Sequence, residues 1–318
     1  ASVTSLAKDA FYLASGLKKI NVADGNATYV SSDGIVLLKA TGEIYIWPQG
    51  NTTTEFTLPS TMTEIPDKMF QNNTSLKKVV IPSSVTKVGS YAFSGSKIEE
   101  IYFEDSANGL TIGSYAFYNC QKLKSLRLPY GLTTVGANAI SKTGLETVVI
   151  PDTVTEMGAT VLAYNEELTG VTLSKSMTAI PSRGFVGDTA LTELTLPASI
   201  QDCGVTNTTN AFTDCVNLQN IYVADGSLYF KSVDGVLFDK NGATLRLYPE
   251  GRTAESYRIP EGTIRVGGNA FEGNEHLKSV SFPTTLERVG PKAFFACTNL
   301  KDYYFNGMTA PLLETTVS

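Results

Sequence analysis

The chain has 318 residues, a formal net charge of −6 and a pI near 5.0. This acidic balance argues against a nucleic-acid-binding protein, which would carry a basic face. No apolar run approaches the ~18 residues of a membrane span. We therefore predict no nucleic-acid partner and no membrane insertion within this chain. Residue 1 is not Met and already lies inside a repeat, so we expect a piece trimmed from a longer protein.

A sequence motif of about 23 residues recurs along nearly the whole sequence. It is clearest in residues 82–93, 260–271 and 283–294, where Pro precedes a hydrophobic stretch, a Gly and an Ala-Phe pair. Such internal periodicity predicts a repeat array, in which each unit packs on its neighbours. We expect one domain over residues 1–318. The repeats, about ten, are a partial one over residues 3–22 and others beginning at Pro59, Pro82, Asp105, Pro129, Pro151, Ser174, Pro197, Pro260 and Pro283.

One half of each repeat predicts a β-strand. In the unit that begins at Pro59, Leu76, Val79 and Ile81 are apolar, and the last two follow the period of two that a strand requires. Identical strands of successive units must then lie parallel, about 4.8 Å apart. The pattern predicts a parallel ladder with one buried face and one open face.

The other half of each repeat predicts a bend. Most units carry Gly at one position, but Pro66 and Pro181 occupy the same position, and Pro cannot adopt a positive φ. Gly and Pro together suit the start of a short helical turn. The fold class predicted from these patterns is α/β, a solenoid with a parallel ladder and short helical turns on the opposite side.

A column of small residues follows the Phe of each unit, and its side chains can satisfy backbone groups in a tight buried loop. Three of the four cysteines belong to this column, which favours four buried free thiols. A Cys203–Cys215 disulfide and a zinc site remain as alternatives. The column consists of Ala14, Asn73, Ser96, Cys120, Thr143, Asn165, Asp188, Cys215, Asn274 and Cys297.

Two segments interrupt the periodicity and match each other. Residues 23–58 align without a gap to residues 224–259, at a constant offset of 201. Asp-Gly and Asn-Gly pairs between β-rich runs indicate hairpin turns. We predict two β-hairpin insertions with the same fold that extend the ladder with extra strands. The side chains expected to pack inward are Ile35, Leu37, Ile46, Trp47, Val236, Phe238, Leu247 and Tyr248.

The repeat Val-x-x-Ile/Val-Gly-x-x-Ala-Phe-x-x-Cys/Asn-x-x-Leu-x-x-Val-x-Ile-Pro resembles the BspA-like leucine-rich repeats. The insertion pattern in residues 232–249 is similar to that family as well. The resemblance covers essentially residues 1–306 and implies a secreted or cell-surface bacterial protein, as in gut and oral bacteria. Family members with assigned roles are adhesins, and the family has no catalytic motif. Ile140 and Leu162 depart from it by replacing the Phe.

The chain offers little for catalysis or metal binding. His276 is the only histidine, and it lies in a column that is polar in other repeats. Pairs such as Glu99-Glu100 occupy positions filled elsewhere by Lys, Thr or Gln, which indicates solvated faces. The Asp33-Gly34 pair lacks the spacing of a calcium-binding loop. We therefore predict no enzymatic activity, no cofactor and no metal.

The open face of the ladder is the remaining candidate for function, because Tyr and Arg are favoured at protein interfaces. We predict an extracellular binding or adhesion module for a protein ligand, a host matrix or cell-surface protein. A glycan-binding module with exposed aromatic side chains, for which Trp47 would have to be accessible, is one alternative. A structural spacer in a larger surface protein is another. The candidate binding residues are Lys78, Tyr102, Arg127, Tyr222 and Tyr304.

Overall fold

The computed structural model describes residues 3–8, 10–106 and 109–315. Their contacts define two compact units, Ala1–Leu145 and Glu146–Ser318, and each unit is described by itself. Both are β-solenoids with parallel sheets, and their described residues make about 11 turns in all. The expectation of one domain over residues 1–318 stays a prediction.

The first unit contains three sheets among its described residues. Its strands are β1 (Tyr29–Ser32), β2 (Ile35–Leu38), β3 (Ile44–Ile46), β4 (Glu55–Thr57), β5 (Glu64–Ile65), β6 (Lys78–Ile81), β7 (Lys87–Val88), β8 (Glu100–Phe103), β9 (Leu110–Ile112), β10 (Ser125–Arg127) and β11 (Leu132–Val135). Strands β4, β6, β8 and β10 form one parallel sheet, and β5, β7, β9 and β11 form a second. Strands β1 to β3 form an antiparallel sheet.

The second unit repeats this arrangement. Its strands are β12 (Thr147–Val149), β13 (Glu156–Met157), β14 (Gly170–Thr172), β15 (Glu193–Leu196), β16 (Asn220–Val223), β17 (Phe230–Val233), β18 (Val236–Asp239), β19 (Thr244–Leu247), β20 (Ser256–Arg258), β21 (Arg265–Val266), β22 (Ser279–Phe282), β23 (Arg288–Val289), β24 (Asp302–Phe305) and β25 (Leu312–Leu313). Parallel pairing joins β12 to β14, β15 to β16, and β20 to β22 and β24. The antiparallel strands β17 to β19 continue into the parallel strands β21, β23 and β25.

The core of each unit is built from aliphatic strand residues and stacked aromatic rings. In β6, Val79 and Ile81 are buried and alternate with half-buried neighbours, as the period of two predicts. The ring of Phe93 stacks between Phe70, at 4.8 Å between centroids, and Phe117, at 5.6 Å. In the second unit Phe271 lies between Tyr248 and Phe294, at 4.9 and 4.6 Å. Repeated Phe residues therefore form continuous apolar columns.

The predicted short helical turns are wrong, and the α/β class with them, because none of the described residues forms a helix. The segment after β7 instead has a left-handed residue at every fourth position, Tyr91 (φ 59°) and Gly95 (φ 68°). A left-handed residue cannot continue a right-handed helix. Its amides alternate: Ala92 N–H bonds within its own turn, whereas Phe93 N–H donates to Ala116 O of the next turn at 2.8 Å. The segments thus stack as hydrogen-bonded turns.

The glycine column is explained by close backbone stacking. Gly89, Gly113 and Gly136 have no positive φ, as Pro at equivalent positions indicated, whereas Gly204 of the same column does (φ 71°). A Cβ on Gly113 would lie 2.8 Å from Ser90 N, and one on Gly136 would lie 2.5 Å from Ser114 N. Glycine is needed at these positions because the preceding turn leaves no room for a side chain, not because a helix starts there.

The column of small residues is buried except for Ala14 and Cys297, which are half-buried, and its polar members bond to the backbone. Asn73 is fully buried; its Oδ1 accepts from Leu76 N–H at 2.8 Å and its Nδ2 donates to Gln49 O at 3.0 Å. Cys120 Sγ donates to Phe93 O at 3.1 Å. These side chains replace hydrogen bonds that the tight loop cannot make within its own backbone.

The four cysteines are free thiols, so Cys203 and Cys215 do not form a disulfide. Cys120, Cys203 and Cys215 are buried as predicted, whereas Cys297 is half-buried. Burial raises the pKa of the Cys120 thiol to about 12 and that of Cys297 to about 11.

The two insertions have the same strand register, as their gapless match predicts. Tyr29 pairs with Leu38 in the first, and Phe230 pairs with Asp239 in the second. Both also have an irregularity between the second and third strands, at Val36/Leu37 and at Leu237/Phe238. In the second unit β19 joins β21 and extends the parallel sheet, whereas β1 to β3 form a sheet of their own.

The residues predicted to pack inward from the insertions are buried, with one exception. Leu37 is half-buried, and its neighbour Val36 is buried against Tyr29 and Ile46. The equivalent residue of the second insertion, Phe238, is buried although it has the same register irregularity.

Candidate binding surface

The open face of the sheet β4-β6-β8-β10 carries two columns of side chains. Parallel pairing aligns Lys78 with Glu100, and Tyr102 lies between its pairing partners Val80 and Arg127. These side chains alternate with buried ones such as Val79 and Ile101 along each strand. Three of the five predicted binding residues, Lys78, Tyr102 and Arg127, therefore share one face in the first unit.

Lys78 is paired across the sheet with Glu100. Its Nζ lies 3.1 Å from Oε1 and 3.0 Å from Oε2 of Glu100, and both side chains are about 40% exposed, at 42% and 41%. Solvent screens such a pair, so it contributes little to stability. It does hold both side chains in place on the face.

Arg127 is held by three neighbours. Its Nη2 donates to Asp105 Oδ2 at 2.8 Å, its Nη1 donates to Phe103 O at 2.7 Å, and its guanidinium carbon lies 5.2 Å from the ring centroid of Tyr102. The hydrogen bond from Arg127 is the main cause that lowers the pKa of Asp105, and the Tyr130 backbone N–H adds to it. Arg127 is therefore oriented before any ligand arrives.

Asp105 and Tyr130 belong to this cluster, although the sequence patterns did not single them out. Asp105 Oδ1 accepts from Tyr130 N–H at 3.0 Å, and Tyr130 is 68% exposed. One signal was present in the sequence, because Asp105 stands where neighbouring repeats have Pro82 and Pro129. We call Tyr102, Asp105, Arg127 and Tyr130 the tyrosine–arginine cluster.

The other two predicted binding residues lie on separate sheets of the second unit. Tyr222 in β16 is 42% exposed and pairs with Thr195 of β15. Tyr304 in β24 is 54% exposed and pairs with Ser281 of β22. The structure thus does not join all five residues into one site.

Trp47 is not available for an exposed aromatic platform. Its side chain is buried, 5% exposed, with its ring 5.0 Å from the rings of Phe56 and Phe70. Glycan-binding platforms need an accessible ring face, so this result weakens the glycan alternative.

The residues considered for catalysis or metal binding do not form a catalytic or metal site among the described residues. His276 is exposed, and its backbone N–H donates to Asn274 Oδ1 at 3.1 Å. Within the described ranges, no three His, Cys, Asp or Glu side chains are grouped so that they could hold a metal ion. The described residues also contain no helix long and apolar enough to cross a lipid bilayer.

Comparison with known proteins establishes the family. The model of the BspA type leucine rich repeat region matches residues 46–169, 163–239 and 250–311, in six copies. The chain belongs to the BspA-type leucine-rich repeat family. The search of curated proteins finds no match.

Solved structures of bacterial leucine-rich repeat proteins are similar to this member of the BspA-type family. A leucine-rich cell surface protein from Faecalibacterium prausnitzii is 28% identical, with a TM-score of 0.69 over 89% of this chain and 78% of that chain. A leucine-rich repeat protein from Bacteroides ovatus is 22% identical, with a TM-score of 0.59 over 90% of this chain and 76% of that chain. The pneumococcal vaccine antigen PcpA is 23% identical, with a TM-score of 0.56 over 91% and 71%. The last two share the fold.

Proposed function

We propose that this chain is a non-enzymatic binding or adhesion module at the surface of a bacterium, and that it recognises a protein ligand. The tyrosine–arginine cluster carries the proposal. Tyr and Arg are enriched among the few residues that dominate binding energy at protein interfaces, and a side chain that is already oriented loses less entropy on binding. Family membership and the similar cell surface protein from Faecalibacterium prausnitzii support the location.

The test is binding of the 318-residue chain to purified host matrix proteins, measured by surface plasmon resonance. Arg127→Ala and Tyr102→Ala should each weaken binding by roughly tenfold or more, as for interface hot spots. Both side chains are partly exposed, so the fold should survive. Lys87→Ala is the matched control, because Lys87 is an exposed cation on the other parallel sheet. Unchanged binding in both variants, or no matrix ligand at all, would contradict the proposal.

A further inference from the structure

A cavity of about 260 Å³ lies in the first unit, away from the tyrosine–arginine cluster. It is lined by three segments: Lys8 and residues 11–13, residues 45–49 at the end of β3, and residues 66–69 with Gln71 after β5. Its volume is just below the roughly 300–1,000 Å³ range of ligand pockets. A cavity of this size suits a ligand of one or two residues.

Much of the wall is apolar. Phe11 and Leu13, which are 36% and 63% exposed, line the cavity together with Ile46 and Met69. Exposed large apolar side chains beside a cavity are typical of a surface that an apolar ligand group covers.

Three buried polar atoms in the lining residues have no hydrogen-bond partner among the described residues. They are the indole Nε1 of Trp47 and the Oε1 atoms of Gln49 and Gln71. Indole Nε1–H is a donor, and an amide oxygen is an acceptor. A buried polar atom without a partner is costly, so most have one. None of the three has appreciable accessible surface in this structure, so a peptide group, whose carbonyl accepts and whose N–H donates, would reach them only after the lining side chains rotate.

Two lysines give the cavity a positive charge. Lys8 Nζ lies 5.9 Å from the ring centroid of Tyr45, and Lys68 Nζ lies 4.8 Å from that of Tyr12. Neither ammonium forms an ion pair with a carboxylate in the described part of the chain. Asp67 also lines the cavity, and its Oδ1 accepts from Ser90 N–H at 2.8 Å. The two cations therefore exceed the single anion, which suits a ligand carboxylate.

We propose that this cavity binds the C-terminal residue of a peptide that has an apolar side chain and a free carboxylate. The ammoniums of Lys8 and Lys68 attract the carboxylate, and side-chain rotation on binding lets Trp47, Gln49 and Gln71 pair with the adjacent peptide group. The apolar wall takes the side chain. A sugar ring fits less well, because its hydroxyls would outnumber the polar partners and would be buried unpaired against Ile46 and Met69.

The second unit has the same repeat architecture but lacks the positive charge and the Gln side chains of this cavity. At the offset of 201, Glu250 replaces Gln49 (250 − 49 = 201) and Glu272 replaces Gln71 (272 − 71 = 201). Asn269 stands in place of Lys68 (269 − 68 = 201). The equivalent position of the second unit is acidic and would repel a carboxylate.

Trp47 is the only tryptophan of the chain, so its fluorescence reports on this cavity directly. We would titrate the 318-residue chain with an N-acetylated tetrapeptide that ends in Leu and has a free carboxylate, and measure binding by fluorescence and by calorimetry. Amidation of the carboxylate, or Ala in place of the last Leu, should weaken binding at least tenfold. Lys8→Met/Lys68→Met should remove the preference for the free carboxylate.

Lys122→Met is the matched control, because Lys122 is an exposed lysine of the same unit outside the cavity, and it should bind as the unaltered chain does. Equal binding of the free and amidated peptides would overturn the proposal, as would no binding by either method. Binding of glucuronate without binding of the peptide would assign the cavity to an acidic sugar instead. Loss of matrix-protein binding in Arg127→Ala with peptide binding retained would show that the two sites act separately.

Discussion

At the residue scale, the polar side chains inside this fold serve the backbone. Asn274 repeats in the second unit what Asn73 does in the first: its Oδ1 accepts from Leu277 N–H at 2.9 Å, and its Nδ2 donates to Glu250 O at 2.9 Å. The sequence predicted burial of this column because small polar residues recur there. It did not predict the partners, since most of the acceptors belong to the preceding turn.

Glu250 gives a prediction at this scale. Burial is the main cause that raises its pKa from 4.5 to about 7, and the negative charges of Asp214, Glu272 and Glu275 act in the same direction. Because the folded pKa lies above the unfolded value, its stabilising contribution is complete below about pH 4.5 and is lost as the pH rises through 7. The free energy of unfolding should therefore fall between pH 5 and pH 8.

Glu250→Gln should flatten this pH dependence and raise the free energy of unfolding at pH 8 by on the order of 1 kcal/mol, since partial exposure screens the effect. Urea unfolding followed by circular dichroism at several pH values measures it. Glu193→Gln, at an exposed position of β15, is the control and should leave the pH dependence as it is. An unchanged slope in Glu250→Gln would show that this carboxyl is not the group responsible.

At the element scale, the left-handed residues define the turns. Pairs such as Tyr115 (φ 60°) and Asn119 (φ 59°) recur four positions apart. Between them, N–H groups alternate between the same turn and the next one, where Tyr115 N–H donates to Ala137 O at 2.9 Å. The sequence gives a weak signal for this geometry, because Tyr, Lys, Thr and Arg occupy left-handed positions as well as Asn and Gly. Stacking on neighbouring turns outweighs the local preference.

Asn119 tests this explanation. It is exposed, so a substitution there changes backbone preference and leaves the core intact. Asn119→Val should lower the free energy of unfolding by about 1–2 kcal/mol, because a β-branched residue strongly disfavours a positive φ. Asn119→Gly should be neutral or slightly stabilising. Gln121→Val, at a nearby exposed position without a positive φ, should have little effect. Trp47 fluorescence during urea unfolding measures all three, and equal stability of the Val and Gly variants would contradict the explanation.

At the scale of the whole molecule, columns of stacked aromatic rings connect several successive turns within each unit. Phe93 is fully buried in the first unit, and Phe271 is fully buried in the second. In repeat proteins stability is approximately a sum of repeat terms and nearest-neighbour terms. Removal of one ring from a column should therefore lower the stability of the adjacent turns most.

Phe93→Ala should lower local stability by ~3–5 kcal/mol, as loss of a buried aromatic side chain does. Trp47 lies in the same unit, so its fluorescence should change at a lower temperature than the circular dichroism of the whole chain, and melting should become multi-step. Phe271→Ala is the matched variant: it should lower the main dichroism transition and shift Trp47 fluorescence less. A single transition at the unaltered temperature in Phe93→Ala would show that this ring is not part of the core.

The sequence by itself determined the repeat positions, the strands, the buried column and the equal register of the two insertions. These features depend on side-chain period and on self-similarity, both of which are local and repeated many times. Tertiary structure decided where the turn amides bond, why Gly113 and Gly136 must lack a side chain, and that Leu37 is only half-buried. It also decided which side chains meet: Arg127 with Asp105, and Lys8 and Lys68 around one cavity. Such contacts depend on distances between different turns, and residue spacing along one chain does not specify those distances.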